Sequence, residues 1–169
     1  MRDRGVSLAG IDLRGARLQG ANLVDADLSG ADLREAMLAR STLAAANLAG
    51  ANLDGANLVH ANLEGAILRG ASVNGVKLRD AFLKDADLSE TNLSGHDLAW
   101  TQMPGANLSG ADLSGADLGE ADLSGANLRG ANLSAARFDG TDLTNADLRG
   151  ANLDGADLTA AETDGATFD

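Results

Sequence analysis

Few residues in this sequence have side chains suited to catalysis. The 169-residue chain contains two histidines, His60 and His96, and no cysteine or tyrosine. Disulfides and thiolate metal sites are therefore excluded. No Ser/His/Asp set, HExxH motif or phosphate-binding loop is present. The sequence predicts a protein that is not an enzyme and that binds no cofactor.

Carboxylates are the only abundant groups that could bind a metal ion. A Ca²⁺ ion takes about six to eight oxygen ligands. The carboxylates recur singly along the repeat described next, so each step supplies one group. We therefore expect no metal site.

A five-residue repeat positions all of these side chains. Counting from residue 8 in steps of five, Leu occupies 28 of 33 positions, and Ala stands two residues before in 25 of 33. Asn or Asp lies between them in 21 of 33, and 20 of the 21 glycines fall at positions divisible by five. The register never slips between residues 6 and 169. We expect a short lead-in over residues 1–5 and one repeat domain over 6–169, with no inserted loop.

A period of five fits neither a helix nor a continuous strand. A chain that turns a corner every five residues can point its Leu and Ala inward, and four such sides close a square coil of 20 residues. Stacked coils then pair as parallel strands, about 4.8 Å apart. The sequence predicts about eight coils with a core of stacked leucines. The core residues include Leu48, Leu68, Leu88, Leu108 and Leu128.

The pattern Ala-(Asp/Asn)-Leu-x-x resembles the pentapeptide-repeat family, as in residues 106–110 (ANLSG) and 111–115 (ADLSG). The resemblance covers nearly the whole chain. It implies an all-β fold, the right-handed quadrilateral parallel β-helix of that family. It implies fold more firmly than function, because members of one fold family differ in role.

The four sides differ at their corners. The sides that start at residues 6 and 11 end in Gly in seven and six of eight coils, and those that start at 16 and 21 in two and four. Because a type II turn favours Gly at its third residue, we expect type II turns mainly on the two Gly-rich sides. The Gly-poor sides should have more varied turns and display corner side chains such as Trp100.

Two interpretations of His96 are open, because it replaces an inward Ala. It is a buried switch or ligand, or it is a large residue tolerated near the wall and hydrogen-bonded to Thr91 or Thr101. His60 lies at an outward corner.

Charge distinguishes the two ends of the chain. Residues 1–96 carry 12 acids and 10 bases, whereas residues 97–169 carry 13 acids and 3 bases, within a total net charge of −12. An acidic surface repels nucleic acid and attracts basic protein partners. The candidate binding carboxylates lie on the Gly-poor sides: Asp97, Asp117, Glu120, Asp122, Asp142 and Asp157.

A regular anionic rod is also what duplex DNA presents. The charge pattern resembles that of one branch of the family, whose members mimic DNA and act on DNA gyrase or topoisomerase IV. This resemblance implies a role in quinolone or toxin resistance. The alternative is a general interaction scaffold whose acidic sides keep the rod soluble.

The stretch from residue 67 to 105 breaks the regular pattern with outward aromatic residues. Phe82, Trp100 and Pro104 fall on the Gly-poor sides, within about one coil of each other on the 20-residue period. A Trp ringed by polar groups is a typical binding anchor, and the alternative is local packing at an irregular corner.

The exposed ends of the rod predict that it associates with another copy of itself. Uncapped coils expose strand edges that invite pairing. The irregular last coil, with Thr163 and Phe168 at Leu positions, predicts an end-to-end homodimer. The charged first residues lead into no apolar run, so we expect a cytoplasmic protein that does not enter a membrane.

Overall fold

Residues 6–169 form a right-handed, four-sided solenoid in the computed structural model. Each five-residue unit contributes one bridge residue at its second position, followed by a two-residue turn, and this range contains no helix and no longer strand. Every bridge is parallel and joins residues 20 apart, such as Asp12 with Asp32 and Asn107 with Asn127. The predicted quadrilateral parallel β-helix is confirmed. The predicted lead-in, residues 1–5, lies outside the described residues.

The 20-residue period divides the described chain into eight coils and the start of a ninth. Coils 1 to 8 span 6–25, 26–45, 46–65, 66–85, 86–105, 106–125, 126–145 and 146–165. Each coil has four five-residue sides, which we number faces 1 to 4 in chain order. Faces 1 and 2 are the Gly-rich sides, and faces 3 and 4 are the Gly-poor sides.

Backbone hydrogen bonds join each coil to both neighbours. The amide of Leu108 donates to the carbonyl of Asn127 at 2.8 Å, and the amide of Asn127 donates back to the carbonyl of Ala106 at 2.9 Å. The same pattern recurs along most of the rod and satisfies backbone groups that burial would otherwise leave unpaired.

The core is built from the first and third residues of each unit. The predicted core leucines are fully buried: Leu48, Leu68, Leu88, Leu108 and Leu128. Full burial of one Leu side chain contributes about 1.5–3 kcal/mol. Burial decreases at both ends, where Leu8 and Leu153 are only partly covered because each lacks a neighbouring coil on one side.

The turns are more uniform than the glycine pattern predicted. Between residues 10 and 165, 31 of the 32 unit-closing residues have φ between 54° and 73°, and 12 of them are not Gly. The following amide donates to the Leu carbonyl three residues back, as expected for a type II turn. The expectation of more varied turns on faces 3 and 4 is therefore wrong. The stacking of coils imposes one turn geometry, and the single exception is Ala160.

The second-position Asn and Asp residues stabilise these turns. Their side-chain oxygens accept the amide of the residue two positions on, as Asn132 does from Ser134 at 3.3 Å. Asn side chains also donate to the equivalent residue of the preceding coil, as Asn132 does to Asp112 at 3.1 Å. This double role explains why Asn and Asp are preferred at this position.

Candidate interaction surface

The coil period aligns the candidate binding residues of face 4 in one column. The ladder pairs Phe82 with Gln102, Gln102 with Asp122, Asp122 with Asp142, and Asp142 with Glu162. Phe82 is 49% exposed, whereas Asp122 and Asp142 are half-buried. One face therefore changes from aromatic to acidic over four coil steps.

Trp100 lies at the corner that precedes this column. Its backbone φ is +63°, and its side chain is 48% exposed. A bulky residue rarely adopts this left-handed conformation, which costs about 1–2 kcal/mol. Asp80 and Glu120 occupy the same corner in the preceding and following coils. The largest exposed side chain of the rod thus lies between two acidic corners.

Pro104 and Trp100 flank Gln102 in the sequence, and Phe82 pairs with Gln102 from the preceding coil. The structure therefore brings the three predicted residues Phe82, Trp100 and Pro104 to one corner of coils 4 and 5. Pro104 is half-buried, so Phe82 and Trp100 supply most of the exposed apolar area.

Face 3 carries the second acidic column. Asp97 pairs with Asp117, Asp117 with Arg137, and Arg137 with Asp157. Arg137 contacts both the Asp117 carboxylate at 3.4 Å and the Asp139 carboxylate at 3.3 Å. The side chains of Asp97 and Asp139 remain 57% and 72% exposed. The Thr159 hydroxyl and amide lower the pKa of Asp157 and favour its charged form.

Two carboxylates of faces 1 and 2 form close pairs with arginines. The side-chain hydrogen bond from Arg34 lowers the pKa of Asp32 to about 2. Hydrogen bonds from Arg149 likewise hold the pKa of Asp147 far below its usual range, and its carboxylate lies 2.6 Å from that guanidinium. Asp32 and Asp147 are therefore locally paired, and the larger net negative charge of the C-terminal half lies on faces 3 and 4.

The backbone ladder is interrupted most extensively at one place, which we call the seam: residues 70–78 of coil 4 against residues 89–97 of coil 5. The bridges expected for Ser72 with Asn92 and for Lys77 with Asp97 are absent from the otherwise regular series over this stretch. The next bond along, from the Asp80 amide to the Ala99 carbonyl, is stretched to 3.4 Å. At the seam Ala71 and Val76 are 8% and 5% exposed, although most core residues of coils 3 to 6 are fully buried.

Six amide–carbonyl pairs that the pattern calls for are not hydrogen-bonded at the seam. They are Gly70 to Ser89, Asn92 to Ala71, Val73 to Asn92, Gly75 to Ser94, Asp97 to Val76 and Leu78 to Asp97. A depression of about 260 Å³ lies beside them, lined by Gly75, Val76, Ser94, Gly95, His96 and Asp97.

His96 occupies the seam. The expected hydrogen bonds from His96 to Thr91 or Thr101 are wrong, because each of those hydroxyls donates to a Leu carbonyl of the preceding unit at 2.6 Å. The His96 ring instead contacts the Val73 carbonyl at 2.9 Å through Nε2 and the Ser94 carbonyl at 3.0 Å through Nδ1. The sequence held a signal for the seam, since Val73, Val76 and His96 all depart from the repeat within two coils.

Residues 6–169 contain no group of three or more acidic or histidine side chains placed to hold a metal ion. Over the same residues, no helix is long and apolar enough to cross a membrane.

The family model for pentapeptide repeats matches the chain in eight copies, over residues 4–34, 11–47, 46–85, 83–119 and 121–160. Together with the four-sided solenoid, this match shows that the chain belongs to the pentapeptide-repeat family. A search of curated protein sequences finds no match to it.

Three solved structures illustrate what the chain is similar to. A trypsin-treated variant of QnrB1, a plasmid-mediated fluoroquinolone resistance protein, is 24% identical, with 96% of this chain and 77% of that chain covered and a TM-score of 0.50. HetL, involved in heterocyst differentiation regulation in the cyanobacterium Nostoc sp. strain PCC 7120, is 37% identical, with 95% and 84% covered and a TM-score of 0.37. A pentapeptide repeat protein from the Arabidopsis thaliana thylakoid lumen is 35% identical, with 51% and 67% covered and a TM-score of 0.30.

Proposed function

We propose that this protein is a non-enzymatic, cytoplasmic binding protein that uses the acidic part of faces 3 and 4 to imitate duplex DNA. Its partner has a basic surface, and the best specific candidate is DNA gyrase or topoisomerase IV, which the rod would modulate or protect. The observation that carries this proposal is the distribution of charge over the four faces.

The charge of the C-terminal half is concentrated on two faces. From residue 97 onward, faces 3 and 4 carry nine acids and one base, whereas faces 1 and 2 carry four acids and two bases. The nine acids span residues 97–164, or about 16 Å at the coil spacing. The net density is one negative charge per about 2 Å, close to the value of about 1.7 Å for duplex DNA.

The aromatic corner would add short-range affinity to this field. Charge complementarity mainly speeds association and selects partners, whereas buried aromatic anchors supply much of the binding energy. Trp100 and Phe82 lie at the N-terminal edge of the acidic columns, so one partner can contact both.

The likeness to QnrB1 supports the fold on which this proposal depends. QnrB1 is a fluoroquinolone resistance protein, which makes gyrase a sensible first partner to test. The partner itself is argued from the charge of this chain.

A gyrase supercoiling assay, with and without a quinolone, tests the proposal. We expect the protein to change supercoiling activity or to reduce quinolone inhibition in a dose-dependent way. An absence of effect at any ratio of protein to enzyme would refute the gyrase assignment and favour the general scaffold.

The Trp100→Ala variant separates the contribution of the aromatic anchor to binding from that of the acidic surface charge. Ala is tolerated at this corner geometry, because Ala45 and Ala135 adopt it with φ of 55° and 54°. We expect an affinity loss of about tenfold or more, equivalent to about 1.4 kcal/mol. Unchanged binding would leave Trp100 only a structural role.

The C-terminal end supports the proposed end-to-end homodimer. Thr163 of coil 8 is half-buried, and Phe168 at the start of the ninth coil is 42% exposed, so apolar surface remains uncovered there. Light scattering at micromolar concentration should report a mass near twice 17.1 kDa. A monomeric mass would refute the dimer without affecting the binding proposal.

A further inference from the structure

The contacts of His96 differ from those of an ordinary satisfied histidine. Its two ring nitrogens lie 2.9 and 3.0 Å from the carbonyl oxygens of Val73 and Ser94. A carbonyl oxygen can only accept a hydrogen bond, and a neutral imidazole has only one N–H to donate. A neutral ring would therefore set a nitrogen lone pair against one of the two carbonyls. Only the imidazolium form donates to both.

These two carbonyls belong to different coils. Val73 lies in coil 4, and Ser94 lies in coil 5. The ring thus joins the two coils at the place where the backbone ladder between them is open. The salt bridge from Arg79 to Asp97, at 3.3 Å, is a second side-chain link across the same opening.

Oversized residues explain why the seam opens here. The first position of face 3 is Ala in six of eight coils, and the two exceptions, Val76 and His96, are stacked on each other. Two large side chains in adjacent layers exceed the space that two alanines fill, and overpacking forces backbone shifts. Coil 4 is also bonded to the coil on its other side, because the backbone amide of Asn74 donates to the Asp54 carboxylate of coil 3 at 2.9 Å.

We propose that His96 is a proton-dependent latch: its imidazolium form donates to the carbonyl of Val73 across the seam and to that of Ser94 in its own coil, whereas its neutral form sets a lone pair against one of these carbonyls and so holds the seam less tightly. The rod then has a hinge between its weakly charged N-terminal half and its acidic C-terminal half. Proton binding stiffens this hinge, and proton loss lets the hydrogen-bonded amides at the edges of the seam open to solvent.

The charged groups on faces 2 and 3 of coil 5 and of the two coils packed against it are Lys77, Arg79, Asp80, Asp97, Asp112, Asp117 and Glu120. Between about pH 5.5 and 8, histidine is the side chain that ordinarily changes charge. The other histidine, His60, lies at a corner of coil 3 and is exposed. A His60→Asn background therefore leaves His96 as the only titrating histidine, and Asn tolerates the positive φ of 57° at that corner.

Amide hydrogen exchange on the full chain tests the latch. Protection factors, corrected for intrinsic exchange, are compared at about pH 5.5 and 8 for the amides of Leu68, Asp80 and Asp87, which flank the seam and donate between coils 4 and 5, in the His60→Asn protein. We expect their protection to fall about fivefold or more at the higher pH, because the opening equilibrium shifts with proton loss. The equivalent amides of Leu108 and Glu120, in the closed ladder, should be unaffected.

Adding His96→Ala to this background removes both the oversized side chain that opens the seam and the proposed latch. We expect the pH dependence to disappear and the seam amides to become more protected at both pH values, because Ala fits this column elsewhere. Retained pH dependence in this variant, or none in the His60→Asn protein, would overturn the proposal. The ring ¹⁵N shifts of His96 provide a readout without any change at this position, and a neutral ring at about pH 5.5 would also overturn it.

Discussion

Replacing Leu108 with Ala tests how the core holds the rod together. Leu108 is fully buried, and its column neighbours Leu88 and Leu128 are fully buried as well. A buried Leu→Ala change costs about 2–5 kcal/mol, and the cost is greatest where the surroundings cannot close the cavity. Ladder bonds fix coil 6 on both sides, so we expect a loss in the upper part of that range, about 3–5 kcal/mol.

Leu13→Ala is the matched control. This variant carries the same substitution at the same position of the five-residue unit, but Leu13 lies in coil 1 and is only partly buried. With a neighbouring coil on one side only, it should lose roughly half as much, about 1.5–2.5 kcal/mol.

Urea unfolding measures both variants. The single tryptophan, Trp100, provides a fluorescence signal from coil 5, and far-UV circular dichroism follows the whole rod. A loss at Leu108 below about 1 kcal/mol, or a loss at Leu13 that equals or exceeds it, would refute the account of a core stabilised by stacked neighbours.

Three further predictions concern pH, corners and buried hydroxyls. Acid should destabilise the rod between about pH 4 and 2, because the pKa of Asp32 falls from an unfolded value of about 3.9 to about 2 on folding. The stabilisation from the charged Asp32 is therefore present above the unfolded pKa and is lost as the pH falls through the folded pKa. Thermal melts at these pH values check the prediction, and the loss of stability should be smaller in Asp32→Asn. Gly115→Ala should cost about 1 kcal/mol, because φ is +64° with open space around the new Cβ; no measurable loss on urea unfolding would show that the corner is not strained. Thr141→Val should cost about 1 kcal/mol, because it removes the buried 2.8 Å bond to the Leu118 carbonyl; an unchanged midpoint would count against that bond.

The sequence predicts the scaffold well because the repeat has one physical solution. An inward Leu and Ala at fixed spacing determine which residues are buried, and the coil period then places Phe82, Asp122 and Asp142 in one column. The same reasoning fails at the turns, since glycine preference describes a single corner, whereas ladder bonds from both neighbouring coils impose the positive φ on Trp100 or Glu120 as well.

The seam could not be predicted for a related reason. The sequence marks His96 as an oversized residue but does not show whether its ring points into the core or between coils. That outcome depends on Val76 in the next layer and on contacts that hold coil 4 against coil 3. Departures from the repeat that stack in adjacent coils are thus more informative than single departures.

Binding of charge variants to DNA gyrase or topoisomerase IV tests the central claim most directly. One triple variant removes three charges from faces 3 and 4, with Asp117→Asn, Glu120→Gln and Asp122→Asn. Its control removes three from faces 1 and 2, with Glu90→Gln, Asp112→Asn and Asp154→Asn. We predict that the first triple loses about tenfold or more in affinity and that the control loses less than about threefold. Equal losses would show that net charge alone matters and would contradict a binding surface on faces 3 and 4.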